Sequence, residues 1–421
     1  MIVPSIDLMG GRTVQLVGGR ELALEAGDPR GHLSHFARVG EVAVIDIDAA
    51  RGEGSNAHLI EPLCASHPIR VGGGIRDEQA ARRWLDAGAR KIIIGTAATP
   101  DLLVKLPRER LIVALDADCG EVVVEGWRTR TGARVVERMR ELRDHCAGFL
   151  VTFVEREGRL GGTDIDRVAE LVEAAGTARV TIAGGVTSAA EVAALDVLGA
   201  DAQVGMALYT GRMSLADAFL APARSDRGDG LIPTVVADES GVALGLVYSS
   251  RESVARSIES GRGVYCSRRR GLWEKGATSG AVQEVVRVEL DCDRDTLRFT
   301  VRQAGAGFCH RATAGCWGGA QGLAALESRI ADALAVDAAG GYTRRLISDQ
   351  ALLGAKLVEE ARELADARGD ADVVHEAADL LYFAVVSLAR AGVPLQRVVH
   401  ELDRRALRVT RRAGDAKAVQ P

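Results

Sequence analysis

Eight short, almost wholly apolar runs recur through the first half of the chain, and a stretch able to form an amphipathic helix follows each one. They read "MIVPSIDL", "EVAVIDID", "IRVGGG", "KIIIGT", "LIVALDA", "GFLVTF", "RVTIAGG" and "DAQVGM". A strand with a polar side would alternate. Near-continuous apolar runs belong instead to a parallel sheet covered by helices. Eight βα units within residues 1–222 predict a closed α/β barrel of the TIM type.

The barrel repeats itself. "IRVGGGIRDEQAARRWLDAGARKIIIGTAA" matches "VTIAGGVTSAAEVAALDVLGADAQVGMALY" in glycine placement and helix pattern. Gly73 and Gly184 are 111 residues apart, Gly95 and Gly205 110, and Asp7 and Asp116 109. Such agreement points to two half-barrels and a site of pseudo-twofold symmetry. Gly73–Gly74, Gly184–Gly185, Gly95 and Gly205 end strands, where main-chain N–H groups can approach a phosphate closely. Glycine turns also arise for steric reasons, but the duplicated set implies a ligand with a phosphate at each end. Asp7 and Asp116 end the first and fifth strands, across the mouth from one another. A carboxylate pair so placed can divide acid and base work.

"APARSDRGDG" (221–230) reads as a linker. Beyond it the pattern turns to alternation, in "PTVVADESGVALGLVY", "GRGVYCSRRR", "EVVRVELDCD" and "TLRFTVRQ", which predicts a β-rich domain of antiparallel strands over 230–318. If "LDCDRD" is extended, Asp291, Asp293 and Asp295 share one face and Cys292 turns to the other. Oxygen ligands suit magnesium or calcium and a thiolate suits zinc. With Cys309 and Cys316 of "CHRATAGC", Cys292 makes three thiolates, which leaves a fourth zinc position open, as in catalytic sites.

A third pattern, long helical periods, fills 322–412. Glu360 with Glu363 and Glu376 with Asp379 are i, i+3 pairs, beside Glu359, and two antiparallel helices would let them converge. Four inward carboxylates make a magnesium site for a polyphosphate; a solvated acidic face is the alternative. Lys356, Arg344 and Arg345 are available for phosphate charge. The tail "RRAGDAKAVQP" reads as disordered.

A net charge of −5 supplies no basic footprint for nucleic acid. Arg268, Arg269 and Arg270 suit a phosphorylated small molecule better. "DLLYFAVVSLARAGV" is interrupted by Arg390 too soon to span a membrane, and "MIVPSIDLMGG" lacks the marks of a signal peptide. Seven cysteines, an odd number, argue for reduced thiols and a cytoplasmic address. The four outside the cluster are expected in the core.

"SRRRGLWEKGATSG", "LDCDRD" and "GFCHRATAGC" resemble the motifs of phosphoribosyl-AMP cyclohydrolase, which opens the adenine ring of its substrate. The resemblance implies magnesium on Asp291, Asp293 and Asp295, and zinc held by Cys292 of one chain with Cys309 and Cys316 of another, hence a homodimer. It makes Lys275, Thr278 and Ser279 contacts to substrate phosphate or ribose, and His310 either a proton shuttle or a packing neighbour of Cys309. "YTRRLISDQALLGAKLVEEARE" and "HEAADLLYF" resemble phosphoribosyl-ATP pyrophosphohydrolase, which implies magnesium-assisted release of pyrophosphate. The barrel, through "IDLMGGRTVQL", "VGGGIR", "IIIGTA", "LDADCGEVVVEGW" and "AGGV", resembles the ProFAR isomerase of histidine biosynthesis. That resemblance makes Asp7 the base and Asp116 the acid of an Amadori rearrangement, with Thr152 beside the substrate. Many relatives carry an acid where Phe153 stands, and Glu157 precedes Gly158. A working isomerase and an inactive scaffold therefore both remain open. The last two domains and "VTRRAGDAK" are also similar to the fungal multifunctional histidine proteins, whose following dehydrogenase domain is not expected here.

Overall fold

The eight apolar runs form eight parallel strands: Ile2–Met9, Val42–Asp46, Ile69–Gly72, Lys91–Ile94, Leu111–Asp118, Gly148–Phe153, Arg179–Ala183 and Ala200–Val204. Each pairs with its neighbour, and the eighth returns to the first through Ile2↔Ala202, so the sheet closes. The structure, a computed structural model, describes residues 1–421 except 125–126, 128, 268–270, 320–321, 336–340, 411–413 and 415–421. The basic cluster Arg268, Arg269 and Arg270 and most of the C-terminal tail lie outside the described residues.

Ile93, Ile112, Leu150 and Ala183 fill the barrel interior with Ile45 and Ala114. The outer helices obey local signals. Glu78–Ala87 starts on Asp77, which accepts from the Ala80 N–H, ends on Gly88 in the left-handed region, and buries Ala81, Trp84 and Leu85. Ala189–Val197 opens with a reciprocal Ser188–Glu191 capping box.

Two hairpins extend the barrel mouth beyond the sequence expectation. One, Arg12–Val17 with Glu21–Gly27, follows the first strand, and the other, Glu121–Val124 with Thr129–Arg134, follows the fifth. Their registers coincide across the duplication. Asp7 lies opposite Val14 and Asp116 opposite Val123, while Met9 faces Arg12 and Asp118 faces Glu121.

The β domain is a six-stranded sheet. It is not purely antiparallel, because Ile232–Ala237 pairs in parallel with Leu297–Gln303. A helix, Arg251–Ser260, packs beside it. Arg251 donates to the carbonyls of Leu220 and Ala223, and Arg38 to that of Ile258, which joins this domain to the barrel.

Chain contacts divide the protein into two compact units. One comprises Met1–Ala237, Leu246–Gln303 and Ala406–Pro421, the other Asp238–Gly245 and Ala304–Arg405. The second contains the helices Gly322–Ala335, Tyr342–Ser348, Gln350–Asp366 and Asp370–Arg390 around Ile330, Leu346, Leu353, Phe383, Val385 and Val386. In the first, the stretch after the last helix lies on the barrel, where Asp86 accepts from the Val409 and Thr410 N–H groups at 2.8 and 3.0 Å. All seven cysteines are free. Cys64 and Cys146 are buried as expected, but Cys266 is half-buried and Cys119 is exposed, because it occupies the turn from the fifth strand into the second hairpin, at φ +52°. Among the described residues no single helix is long and apolar enough to cross a membrane.

Candidate active sites

A cavity of about 1330 Å³ opens at the carboxyl ends of the barrel strands. Asp7, Asp116, Thr152, Gly73, Gly74, Gly95, Gly184, Gly185 and Gly205 all line it, as the duplication requires. Gly73 and Gly184 stand at φ +96° and +90°, which L-residues with side chains rarely adopt. A β-carbon on Gly73 would fall 2.2 Å from the Asp46 carbonyl oxygen, and one on Gly184 2.5 Å from that of Phe153.

That equivalence explains Phe153. Asp46 and Phe153 hold corresponding places in the two halves, and neither faces the cavity. The buried Asp46 carboxylate accepts from the main-chain N–H groups of Ala49 and Asn56 and from the Asn56 amide, so it ties down the following loop. In the second half Glu191 does this work, accepting from the N–H groups of Thr163, Thr187 and Ser188. Asp46 is thus a loop fastener, and Phe153 is not among the residues that line the cavity.

Besides the exposed Glu53 and Glu141, three carboxylates, not two, line the cavity where burial strips them of water. Burial pushes Asp7 up to about 6, partly offset by the Ser5 hydroxyl, which donates to it at 3.1 Å. Burial also raises Asp116, against hydrogen bonds from Trp127 and Thr152. Glu157 is pushed up to about 8, first by burial and then by the negative charges of Asp7 and Asp116. Near neutrality Asp7 is therefore mostly ionised and Glu157 mostly protonated. Sequence reasoning did not find Trp127, whose ring lies against Gly19 of the other hairpin; a β-carbon there would stand 2.5 Å from it. Arg20, at the tip of the first hairpin, lines the same cavity and was likewise not found from the sequence.

The acidic turn of the β domain departs from expectation. The strand Gln283–Leu290 ends before the aspartates, and residues 291–296 form the hairpin loop to Leu297–Gln303. The loop closes on itself: Asp291 Oδ1 accepts from the N–H groups of Asp295 and Thr296. Asp291, Asp293 and Asp295 still bring carboxylate oxygens within 4.8 Å of one another, through the turn rather than through strand alternation. Nor does Cys292 occupy an opposite strand face; its Sγ lies 4.0 Å from Asp293 Oδ1. Lys275 is buried with its ammonium directed at the Ala281 carbonyl, at 3.4 Å, while Thr278 and Ser279 are exposed in the adjoining turn.

Cys292 belongs to the first compact unit, and Cys309 and Cys316 to the second. The Arg311 main-chain N–H and the Thr313 hydroxyl hold the Cys309 thiol below its usual range, and Cys316 adds to this. His310 Nδ1 is 3.8 Å from Cys309 Sγ. A lowered thiol beside a second thiol has the chemistry of a zinc donor pair.

In the helical unit Glu360 is buried and meets Glu376 and Asp379 across the hairpin, and also Glu359 and Glu363 on its own helix. Glu363 is raised by desolvation and by the negative charges of Glu376 and Glu360. The Lys356 ammonium lies 2.8 Å from Glu360 and 2.9 Å from Glu359, so its charge is engaged there. Arg344 donates to the Leu334 carbonyl, and Arg345 is exposed.

Comparison with known proteins matches three segments of the chain. The family model described as histidine biosynthesis protein matches residues 1–214, that of phosphoribosyl-AMP cyclohydrolase 245–318, and that of phosphoribosyl-ATP pyrophosphohydrolase 323–406. The histidine biosynthesis bifunctional protein of Schizosaccharomyces pombe is 52% identical over 206 residues, 49% of this chain and 49% of its own. The trifunctional protein of Neurospora crassa is 38% identical over 341 residues, covering 79% of this chain and 36% of its own. An imidazole-4-carboxamide isomerase of Gemmatimonas aurantiaca, with two phosphoribosyl groups in its substrate's name, is 39% identical over 223 residues, 50% of this chain and 93% of its own. The chain thus spans half or less of the multifunctional relatives. With a family model over half its length and an isomerase matched over nearly all of that enzyme, the chain belongs to the histidine biosynthesis protein family.

Proposed function

We propose that the chain carries out three successive reactions of histidine biosynthesis, in reverse order along its length. The helical unit releases pyrophosphate from phosphoribosyl-ATP, the β domain opens the adenine ring of phosphoribosyl-AMP, and the barrel isomerises the product, ProFAR. The observation that carries the barrel step is the set of three half-buried carboxylates between duplicated glycine loops. Loops repeated by a half turn suit a substrate with a phosphate at each end. Asp7, ionised at neutral pH, accepts the proton; Asp116, oriented by Thr152 and Trp127, donates one. The scaffold reading rested on Phe153, which faces away from the cavity.

Magnesium fits the hard carboxylates of Asp291, Asp293 and Asp295 and those of Glu360, Glu363, Glu376 and Asp379. Zinc fits Cys292 of one protomer with Cys309 and Cys316 of another, in a homodimer. When bound, these ions supply Lewis acidity and lower the pKa of water. The chain's own groups hold the ions and place the substrate: Glu360 and Glu363 face Glu376 and Asp379 across the helix pair, and Cys309 offers a thiol already inclined to ionise. Seven free cysteines favour a reducing, cytoplasmic setting.

The test is a time course with phosphoribosyl-ATP, magnesium and zinc, followed for pyrophosphate, ring-opened product and aminoketose. All three are expected in that order. Supplied ProFAR that binds and never becomes aminoketose would return the barrel to the scaffold reading.

A further inference from the structure

The acidic turn of the β domain is tied to the barrel by a residue ill suited to its backbone. Arg294 stands inside the turn at φ +70°, a left-handed conformation that glycine or asparagine adopts more readily. Its guanidinium leaves the turn. Nη2 and Nε meet the two carboxylate oxygens of Asp196, at 2.9 and 3.3 Å, on the barrel helix Ala189–Val197. Nη1 turns back to the Asp291 carbonyl at 3.0 Å, and the carbonyl of Arg294 accepts from the Arg224 N–H at 2.8 Å. The two side chains are only 16% and 12% exposed, so solvent screens the pair weakly.

We propose that the barrel buttresses the divalent-cation site of its neighbour. The Asp196–Arg294 pair fixes the main chain of Asp291 in the shape that gathers Asp291, Asp293 and Asp295. The inference rests on the reading of that turn as a cation site. Three carboxylates this close repel one another when no cation is bound, and a hairpin loop has many conformations in which they part. A clamp that removes those conformations lowers the cost of binding. A forked guanidinium on a carboxylate suits this work better than a point charge would. Asp196 lies at the barrel end away from the isomerisation cavity, 3.1 Å from the Met1 amine at the start of the first strand. Arg294 and Asp196 are thus positioning residues for the β domain and stand apart from the barrel's own chemistry.

The test uses the full chain. Asp196→Ala is expected to speed hydrogen exchange at the Asp291, Asp295 and Thr296 amides, all bonded within the turn. It is also expected to raise the magnesium concentration for half-maximal ring opening by about 10-fold, with ring opening restored at saturating magnesium and aminoketose formation unchanged. Arg294→Lys keeps the charge, loses the fork and should fall between; it carries the measurement if Asp196→Ala melts near the working temperature. Unaltered exchange and magnesium dependence in both variants overturns the buttress. A different failure is recognisable: if Asp293→Asn leaves magnesium dependence untouched, the turn is not the cation site, and the proposal falls with that reading.

Discussion

Asp7, Asp116 and Glu157 share one cavity, where burial and mutual repulsion work against ionising all three at once. Glu157 holds its proton more firmly than Asp7 does, at about 8 against an ordinary 4.5. Between those values the folded protein keeps a proton that the unfolded chain has released, so barrel stability should fall as pH rises from about 4.5 to 8. Asp7, raised to about 6, contributes with the same sign at the lower end. Glu157→Gln should flatten this fall and raise the melting temperature at pH 8, which melting curves at several pH values would show; an unchanged slope sinks the assignment. Catalysis separates the other two acids. Asp7→Asn and Asp116→Asn should each lower aminoketose formation by about 10²–10⁴-fold, with pyrophosphate release and ring opening unaffected.

Elements were legible in the sequence where burial imposes a simple pattern. All eight barrel strands stand out because strands covered on both faces must be apolar, and the duplication singled out Asp7 and Asp116. The two mouth hairpins escaped notice. "RTVQLV" and "ELALEAG" are short and mix polar with apolar residues, the second is largely exposed, and the meeting of Trp127 with Gly19 joins hairpins far apart in sequence. "LDCDRD" alternates like a strand yet turns, because the chain must reverse between Leu290 and Leu297, which face each other in the sheet. Helical spacing was a safer guide: Glu360 meets Glu376 and Asp379 across the hairpin, while Glu363 groups with Glu359 and Glu360 on its own helix. At this scale Glu363→Gln should cut magnesium-dependent pyrophosphate release by orders of magnitude. In chelator-treated protein the same change should raise the melting temperature of the helical unit, since it removes a charge from a repelling cluster. Near-normal release would defeat the assignment.

At the level of the whole molecule, the proposed zinc site draws Cys292 from one protomer and Cys309 and Cys316 from another. Chains with Cys292→Ala and with Cys309→Ala should each fail at ring opening. Mixed and allowed to exchange subunits, they should recover part of it, because some pairs then hold one complete site. Metal analysis should give one zinc per restored site. Demonstrated exchange with no recovered ring opening would place all three thiols within a single chain.

The matched registers of the two mouth hairpins carry a consequence for direction. A frame repeated by a half turn offers a ligand with like ends two ways in, and the glycine loops alone do not tell them apart. What distinguishes the halves is the company each acid keeps: a single hydroxyl from Ser5 beside Asp7, an indole and a hydroxyl beside Asp116. Seated backwards, a substrate would present to the donor the atom that needs an acceptor. The duplication thus supplies the grip, and the departures from it give the barrel its sense of left and right.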